Sequence, residues 1–346
     1  MKSFTVTELD HVALQDAPDP VIAEPSDVVI RVTMTSICGS DLHLVHGALP
    51  SAPPYPLGHE YVGVVAEVGA AVTSLSVGDR VLGPAAPWCG SCARCRAGQI
   101  QACLRGGVFG SSSVFGGLSG AMSERMRVPF ADVVLSRIPD VVSDEQALLL
   151  GDVVPTGMTA VSHALAAPGG VLVVLGCGPV GLSAIVTAKL FGPSQVIAVD
   201  RVASRLAVAT QLGATLTVDA STQDVAAIVA EATGGRGADG VVEAVGLPAT
   251  IQQACELVTV GGRVAVVGIS AGGTELPMPQ LLFKNVTLWT GLGHLGEMDT
   301  LLDLVARGVI DPTPMITDRT TLAEIGTAFE RFSDPANGVV KYAITV

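Results

Sequence analysis

Val171-Leu172-Val173-Val174-Leu175-Gly176-Cys177-Gly178-Pro179-Val180-Gly181 is the stretch that decides how this chain folds. Five apolar residues run into a glycine-rich turn, and the turn opens onto a second apolar run of helical length. A G-x-G-x-x-G spacing between a strand and a helix is the arrangement that cradles a dinucleotide pyrophosphate. Gly176 permits the tight turn, Gly178 the close approach of the phosphates, and Gly181 close packing of helix on sheet. Pro179 and Val180 begin the helix, whose first N–H groups and partial positive charge favour an anion. Asp200 lies 24 residues beyond Gly176, where a carboxylate accepts from ribose hydroxyls and repels a 2′-phosphate. NAD is therefore the expected cofactor, although Arg201 and Arg205 stand where arginines can accommodate that phosphate. The competing reading of Asp200 is a cap on the next helix.

Outward from this motif the pattern is regular. Strand-like runs at 171–175, 195–199, 216–219, 240–243, 263–267 and 286–289 alternate with amphipathic stretches such as 203–212 and 223–233. Such alternation predicts a parallel sheet covered by helices on both faces, and six strands predict the full doubly wound α/β fold. The segment 171–188 carries no charge and reaches the length of a membrane span. Its three glycines and Pro179 break it midway, so a buried strand, turn and helix is the better reading. Before residue 150 the chain reads as mostly β, with runs at 27–33, 61–68 and 80–82 between Gly/Pro turns. After residue 289 too few residues remain for a third domain. The expected organisation is a catalytic domain of residues 1–154 and 291–346 with a nucleotide domain of 155–290 inserted in it.

Apolar residues make up 49% and charged residues 15% of the chain, which excludes a disordered protein. The net charge of −13 argues against nucleic acid or an anionic membrane as partner. Residues 1–10 lack an apolar stretch of signal-peptide length, so the expected location is cytoplasmic.

Four of the seven cysteines, Cys89, Cys92, Cys95 and Cys103, crowd into a glycine-rich segment, 84–123, too long to be an ordinary loop. Four thiolates at these intervals close around one tetrahedral zinc with no open position, a structural site whose binding energy orders the lobe. Iron–sulfur ligation is the rival, but no proline follows Cys103 and no second cluster motif appears. Cys177 and Cys255 sit in apolar surroundings and read as small buried hydrophobes. A second, dispersed site begins with Cys38 in Cys38-Gly39-Ser40-Asp41-Leu42-His43 and His59 in Gly58-His59-Glu60. Catalytic zinc takes about three protein ligands and one replaceable position. The residues alone leave the third ligand open among Glu60, Asp152, His43 and His46.

At these residues the chain resembles the zinc-dependent medium-chain dehydrogenases, the family of the zinc alcohol dehydrogenases, over essentially its whole length. Gly58-His59-Glu60 with Gly63 and Gly69, the four-cysteine lobe and the placed G-x-G-x-x-G carry the likeness. The resemblance implies a GroES-like catalytic domain around the nucleotide domain, and Cys38, His59 and Asp152 as ligands of a catalytic zinc. Aspartate stands at position 152 where many members have cysteine. The resemblance further implies Glu60 as a neighbour able to replace water on the metal, and Ser40 and His43 as the two ends of a proton relay. Thr156 and Val180 match positions lining the nicotinamide, and Arg205 matches a basic residue near the ribose. The backbones of Val267, Leu292 and His294 match carboxamide or nicotinamide contacts. Gly39 stands where some members place a basic residue against the pyrophosphate, which makes Lys341 the candidate substitute. The stretches 116–132 and 144–152 resemble the branch near the glutathione-independent formaldehyde dehydrogenases, without the long insertion of the true formaldehyde enzymes.

These residues lead to an NAD-dependent oxidoreductase interconverting alcohols and aldehydes or ketones, with one structural and one catalytic zinc per chain. The resemblance adds a homo-oligomer, tetramer or dimer. Two alternatives are a formaldehyde or aldehyde dismutase with tightly bound NAD, and a nucleotide-binding protein of the same fold without turnover. The catalytic reading requires Cys38 and His59 to lie close enough to share an ion.

Overall fold

A computed structural model describes residues 1–270 and 272–346. Eight strands precede residue 150: β1 (Lys2–Glu8), β2 (His11–Asp16), β3 (Val28–Thr35), β4 (Tyr55–Pro56), β5 (Tyr61–Val68), β6 (Arg80–Gly83), β7 (Arg125–Val128) and β8 (Ser136–Arg137). Six follow: β9 (Val171–Leu175), β10 (Gln195–Asp200), β11 (Leu216–Asp219), β12 (Ala238–Glu243), β13 (Val258–Val266) and β14 (Thr287–Thr290). The chain closes with β15 (Ile316–Thr321) and β16 (Lys341–Thr345). The strands divide between two compact units.

The second unit comprises Val153–Gly293 and Ile310–Met315. Its six strands pair in parallel in the order β11-β10-β9-β12-β13-β14. Every residue of β9 is buried, as expected of a central strand with helices over both faces. Val173, Leu175, Ile197, Val241 and Val264 form the centre of its core. Helices begin where the local chemistry allows. Pro179 and Pro248 sit in the first helical turn, and Asp224 caps Val225–Ala232 through the Ala227 N–H at 3.1 Å. The uncharged stretch 171–188 resolves into β9, a turn and the ten-residue helix Pro179–Ala188. Among the described residues no helix is long and apolar enough to cross a membrane. The largest difference from the sequence reading among these strands is in β13, which starts at Val258 rather than 263 and carries Gly261 and Gly262 within it, while β12 starts two residues early, at Ala238.

The first unit comprises Met1–Asp152, His294–Val309 and Ile316–Val346. It holds a seven-stranded sheet, β15-β16-β3-β5-β6-β8 with β7 also pairing β3, and the small sheet β2-β1-β4. The segment Ile310–Met315 departs from the expected continuous 291–346 return, since it groups with the second unit. A core of Phe4, Ile37, Leu57, Met122, Phe329 and Ile344 joins the start of the chain to its last strand. β3 and β5 pair antiparallel, Thr35 opposite Tyr61, so the residues after one and before the other lie side by side. That register brings Cys38 next to His59.

Candidate functional site

In the first unit Cys38, His59 and Asp152 offer one sulfur, one nitrogen and one oxygen within 4.8 Å of one another. Cys38 is the N-cap of the helix Gly39–Val45, and the short β3–β5 pairing fixes its distance from His59. Asp152 follows the turn Leu149–Gly151, whose Gly151 packs against the carbonyl of Gly83. The Cys38 Sγ lies 3.8 Å from Asp152 Oδ2, and His59 Nε2 lies 3.6 Å from the same oxygen. Zinc bonds of 2.0–2.3 Å at tetrahedral angles put such ligand atoms about 3.4–3.6 Å apart, close to both separations from Asp152, and the three atoms lie within 4.8 Å of one another. The Asp152 side chain is 20% exposed against 5% for His59, which leaves one side accessible to a small molecule. Ser40 Oγ stands 3.4 Å from His59 Nε2 on that ligand side, and His43 occupies the last turn of the same short helix.

The surroundings carry negative charge aimed inward. Burial disfavours an imidazolium at His59, yet the Asp41 charge and the close contacts with Asp152, Asp41 and Cys38 outweigh it and hold the ring well above its ordinary pKa. Burial likewise opposes ionisation of Asp152, and His59 and Lys341 reverse that. Such a pocket calls for a cation, and a divalent one satisfies it with His59 neutral. Asp41 is a functional candidate that sequence reasoning missed. Fully buried, it takes the Cys38 N–H at 2.8 Å on Oδ2 and sets Oδ1 3.3 Å from His59 Nδ1. A carboxylate behind a metal-binding imidazole fixes its tautomer and orientation. The signal was legible: an acid three residues after an N-capping Cys38 completes a capping box.

Glu60 and Lys341 are both fully buried and paired, and the Lys341 Nζ also donates to the Ile37 carbonyl at 3.1 Å. Burial pulls the ammonium down, but Glu60, Cys38 and Asp152 hold it above its usual value. This corrects the expectation that Lys341 substitutes for a basic residue at position 39 against a pyrophosphate. Its ammonium is committed to Glu60 and Ile37 with no exposed surface. Glu60 keeps Oε1 without a hydrogen-bond partner beside the trio. His46, one of the residues left open as a third ligand, instead pairs with Asp10 at 2.6 Å at the surface.

The four-cysteine lobe also fits its ion. The sulfurs of Cys89, Cys92, Cys95 and Cys103 lie within 4.8 Å of one another, with separations of 3.5, 3.9 and 4.0 Å among them. A tetrahedron with Zn–S bonds of about 2.3 Å has edges of about 3.8 Å. Backbone N–H groups of Cys89, Cys92, Cys95 and Arg105 point at the sulfurs at 3.3–3.5 Å, which favours thiolates. Burial opposes the Cys89 thiolate, yet hydrogen bonds from Ser91 and Cys92 bring that thiol down to about 6. Burial and the neighbouring sulfurs push Cys95 up to about 12, a crowding of thiols that a cation relieves. Cys177 and Cys255 are buried outside both groups.

In the second unit Gly176 has φ +90°, the left-handed turn a side chain resists. A Cβ on Gly178 would meet nothing within 4 Å, so open space adjoins the backbone there, whereas one on Gly181 would strike the Gly176 carbonyl. Gly178 caps Pro179–Ala188 without a side chain, leaving first-turn N–H groups such as that of Val180 open to an anion. Asp200 is not the cap of the next helix, whose N-cap is Val202. Its Oδ2 takes the Cys177 N–H at 2.6 Å and its Oδ1 takes those of Arg201 and Val202 at 2.7 and 2.8 Å. A carboxylate has about four acceptor positions, so about one remains for a hydroxyl. Arg205 Nε is buried without a hydrogen-bond partner. A Cβ on Gly293 would strike Thr156, so the backbone beside exposed Leu292 presses on that threonine. The Val267 N–H is taken by the Glu243 carbonyl at 2.9 Å, and His294, in the first unit, stands 3.8 Å from Glu297.

Comparison with known proteins identifies the family. Residues 24–140 match the alcohol dehydrogenase GroES-like domain and residues 179–307 the zinc-binding dehydrogenase family. An alcohol dehydrogenase of Cupriavidus necator is 31% identical over 99% of this chain and 98% of its own. The alcohol dehydrogenase TADH from Thermus sp. ATN1 superposes with a TM-score of 0.94 at 37% identity, covering 100% of both chains. A protein described as a zinc-binding dehydrogenase from Sinorhizobium meliloti 1021, bound to NADP, gives 0.89 at 29% identity over 100% of this chain and 99% of its own. The rspB alcohol dehydrogenase of E. coli CFT073, complexed with NADH, gives 0.90 at 25% over the same shares. With two matching domains in order, a relative aligned from end to end and the same architecture throughout, the chain belongs to the zinc-dependent medium-chain dehydrogenase family.

Proposed function

We propose that this protein is an NAD-dependent zinc alcohol dehydrogenase, interconverting alcohols and aldehydes or ketones. The observation that carries the reading is the convergence of Cys38, His59 and Asp152 on one partly accessible point. These three residues hold a catalytic zinc, and Cys89, Cys92, Cys95 and Cys103 hold a structural one. Bound there, zinc supplies Lewis acidity that polarises an alcohol or carbonyl oxygen, and the nicotinamide supplies the hydride chemistry.

The chain's own residues do the rest. Asp41 orients His59, and Ser40, 3.4 Å from His59 Nε2, takes the proton an alcohol must lose. His43 passes that proton toward solvent from the last turn of its helix. Glu60, with Oε1 free of other partners, is the internal oxygen that can stand in for water. Gly176, Gly178, Pro179, Val180 and Gly181 hold the pyrophosphate, and Thr156, Val267, Leu292 and His294 serve the nicotinamide end. The remaining acceptor position of Asp200 selects the ribose hydroxyl and so NAD over NADP, with Arg201 and Arg205 beside the adenosine. The protein is cytoplasmic and self-associates. The helix Met278–Lys284 exposes Met278, Leu282 and Phe283, an apolar face that a second copy covers.

A screen of primary and secondary alcohols and of aldehydes, with NAD and NADP in parallel, tests the reading. Reduction of NAD by at least one alcohol, abolished in His59→Ala, is expected. Absence of dinucleotide reduction or oxidation with every class would overturn it.

A further inference from the structure

One ionisable side chain without an assigned role lies fully buried at the end of the nucleotide sheet. Glu243 closes β12 with no exposed surface, in register with Leu175 at the end of β9 and Val266 at the end of β13. The strand order β11-β10-β9-β12-β13-β14 reverses direction between β9 and β12. In open parallel sheets, ligands bind outside the carboxyl ends of the strands at that reversal.

Glu243 ties two loops together there. Its Oε1 accepts from the N–H groups of Val245 and Gly246, both at 2.9 Å, and from the Thr250 hydroxyl at 2.7 Å. Its main-chain carbonyl accepts from Val267 at 2.9 Å and Gly268 at 3.1 Å. The loops touch backbone to backbone. A Cβ on Gly246 would strike the Ile269 carbonyl, and one on Gly268 would strike Gly246 and the Glu243 carboxylate. The first loop also abuts the glycine turn, since Ala244 donates to the Leu175 carbonyl at 2.9 Å and the Val245 side chain lies against Gly176. Meanwhile the second carboxylate oxygen, Oε2, is buried without any partner. Leaving a buried oxygen unpaired is costly, and such costs persist where function requires the arrangement.

We propose that Glu243 is a positioning residue for the dinucleotide. Its Oε1 sets residues 244–247 against the Gly176 turn, while its carbonyl sets Val267 and Gly268, so that both loops are preformed before the dinucleotide arrives. The inference rests on the dinucleotide reading given above. It differs from a purely structural role in that binding, rather than folding alone, depends on one acceptor oxygen.

The test is NADH titration by fluorescence on zinc-loaded wild type, Glu243→Gln, Glu243→Ala and Thr250→Val, with thermal melting of each. Glutamine keeps an acceptor at the Oε1 position and should bind within about threefold of wild type. Alanine removes all three interactions and should weaken NADH at least about tenfold, since each hydrogen bond contributes roughly a factor of five. Thr250→Val, which leaves the buried carboxylate intact and tests the idea should Glu243→Ala not fold, should weaken NADH about fivefold while the protein still folds. Melting losses with unchanged NADH affinity, or a glutamine variant as weak as alanine, would overturn the inference while leaving the dinucleotide reading intact. A wild type that binds neither NADH nor NADPH would overturn that reading and this inference with it.

Discussion

Replacing Asp41 by asparagine probes the metal trio without touching any of its ligands. In the native protein one Asp41 oxygen holds the Cys38 N–H at 2.8 Å and the other faces His59 Nδ1 at 3.3 Å. An acceptor behind Nδ1 keeps the proton on that nitrogen and leaves Nε2, the atom facing Asp152 and Ser40, with the lone pair a metal needs. Asparagine has one acceptor only. If its oxygen keeps the Cys38 cap, its amide presents N–H to Nδ1 and drives the proton to Nε2, the wrong tautomer for coordination. If the amide turns round, the cap is lost and Cys38 loses its anchor. Loss of such a partner lowers metal affinity or activity 10- to 100-fold, about 1.4–2.7 kcal/mol. Chelator competition, with zinc counted per chain, measures this directly. Asp41→Asn should give up one zinc at a 10- to 100-fold lower chelator activity than wild type, while the four-cysteine zinc stays. Unchanged release of both ions would refute the argument.

Other changes address separate parts of the account. Asp200→Ala removes the carboxylate position left for the ribose hydroxyl and its repulsion of a 2′-phosphate, so NAD affinity should fall more than NADP affinity, which parallel KM measurements would register. Cys103→Ser should remove one zinc per chain and lower the melting temperature, because the ion's binding energy holds a lobe of short helices and turns. Asp132 accepts from the N–H and hydroxyl groups of both Thr73 and Ser74, which outweigh its partial burial and bring its pKa down to about 2 from 3.8. A depressed folded pKa gives stability that is complete above about pH 4 and lost as the pH falls toward 2. After discounting for solvent, the difference between wild type and Asp132→Asn should be roughly 1 kcal/mol at pH 7 and should shrink steadily as the pH falls from 4 through about 2 in urea melts. Phe283→Glu should shift the protein to a smaller species in light scattering without altering its zinc content.

Which parts of this were legible in the sequence follows from how local each signal is. The six parallel strands and the glycine turn announce themselves because uninterrupted runs such as β9 and the G-x-G-x-x-G spacing are local patterns. The four-cysteine lobe is equally local. The trio is not, since nothing in the residues alone links Cys38 and His59 to Asp152, more than ninety positions further on; only the family likeness chose Asp152, and the fold then brought its carboxylate beside the other two. Lys341 was put forward only to replace the basic residue that Gly39 lacks, and nothing local in the sequence shows where its ammonium goes. The β16 strand instead buries it against Glu60, an ion pair that no pattern of spacing announces. Glu243 was passed over as one acid in an apolar strand, and its convergent hydrogen bonds exist only once β12, β13 and the intervening turns are assembled.

The proposed chemistry requires a zinc ion held by Cys38, His59 and Asp152. Counting metal by native mass spectrometry in wild type and in Cys38→Ser, both purified without chelator, tests it most directly. Two zincs per chain in wild type and one in the variant, with the fold intact by circular dichroism, is the predicted result. A single zinc in both proteins would contradict it.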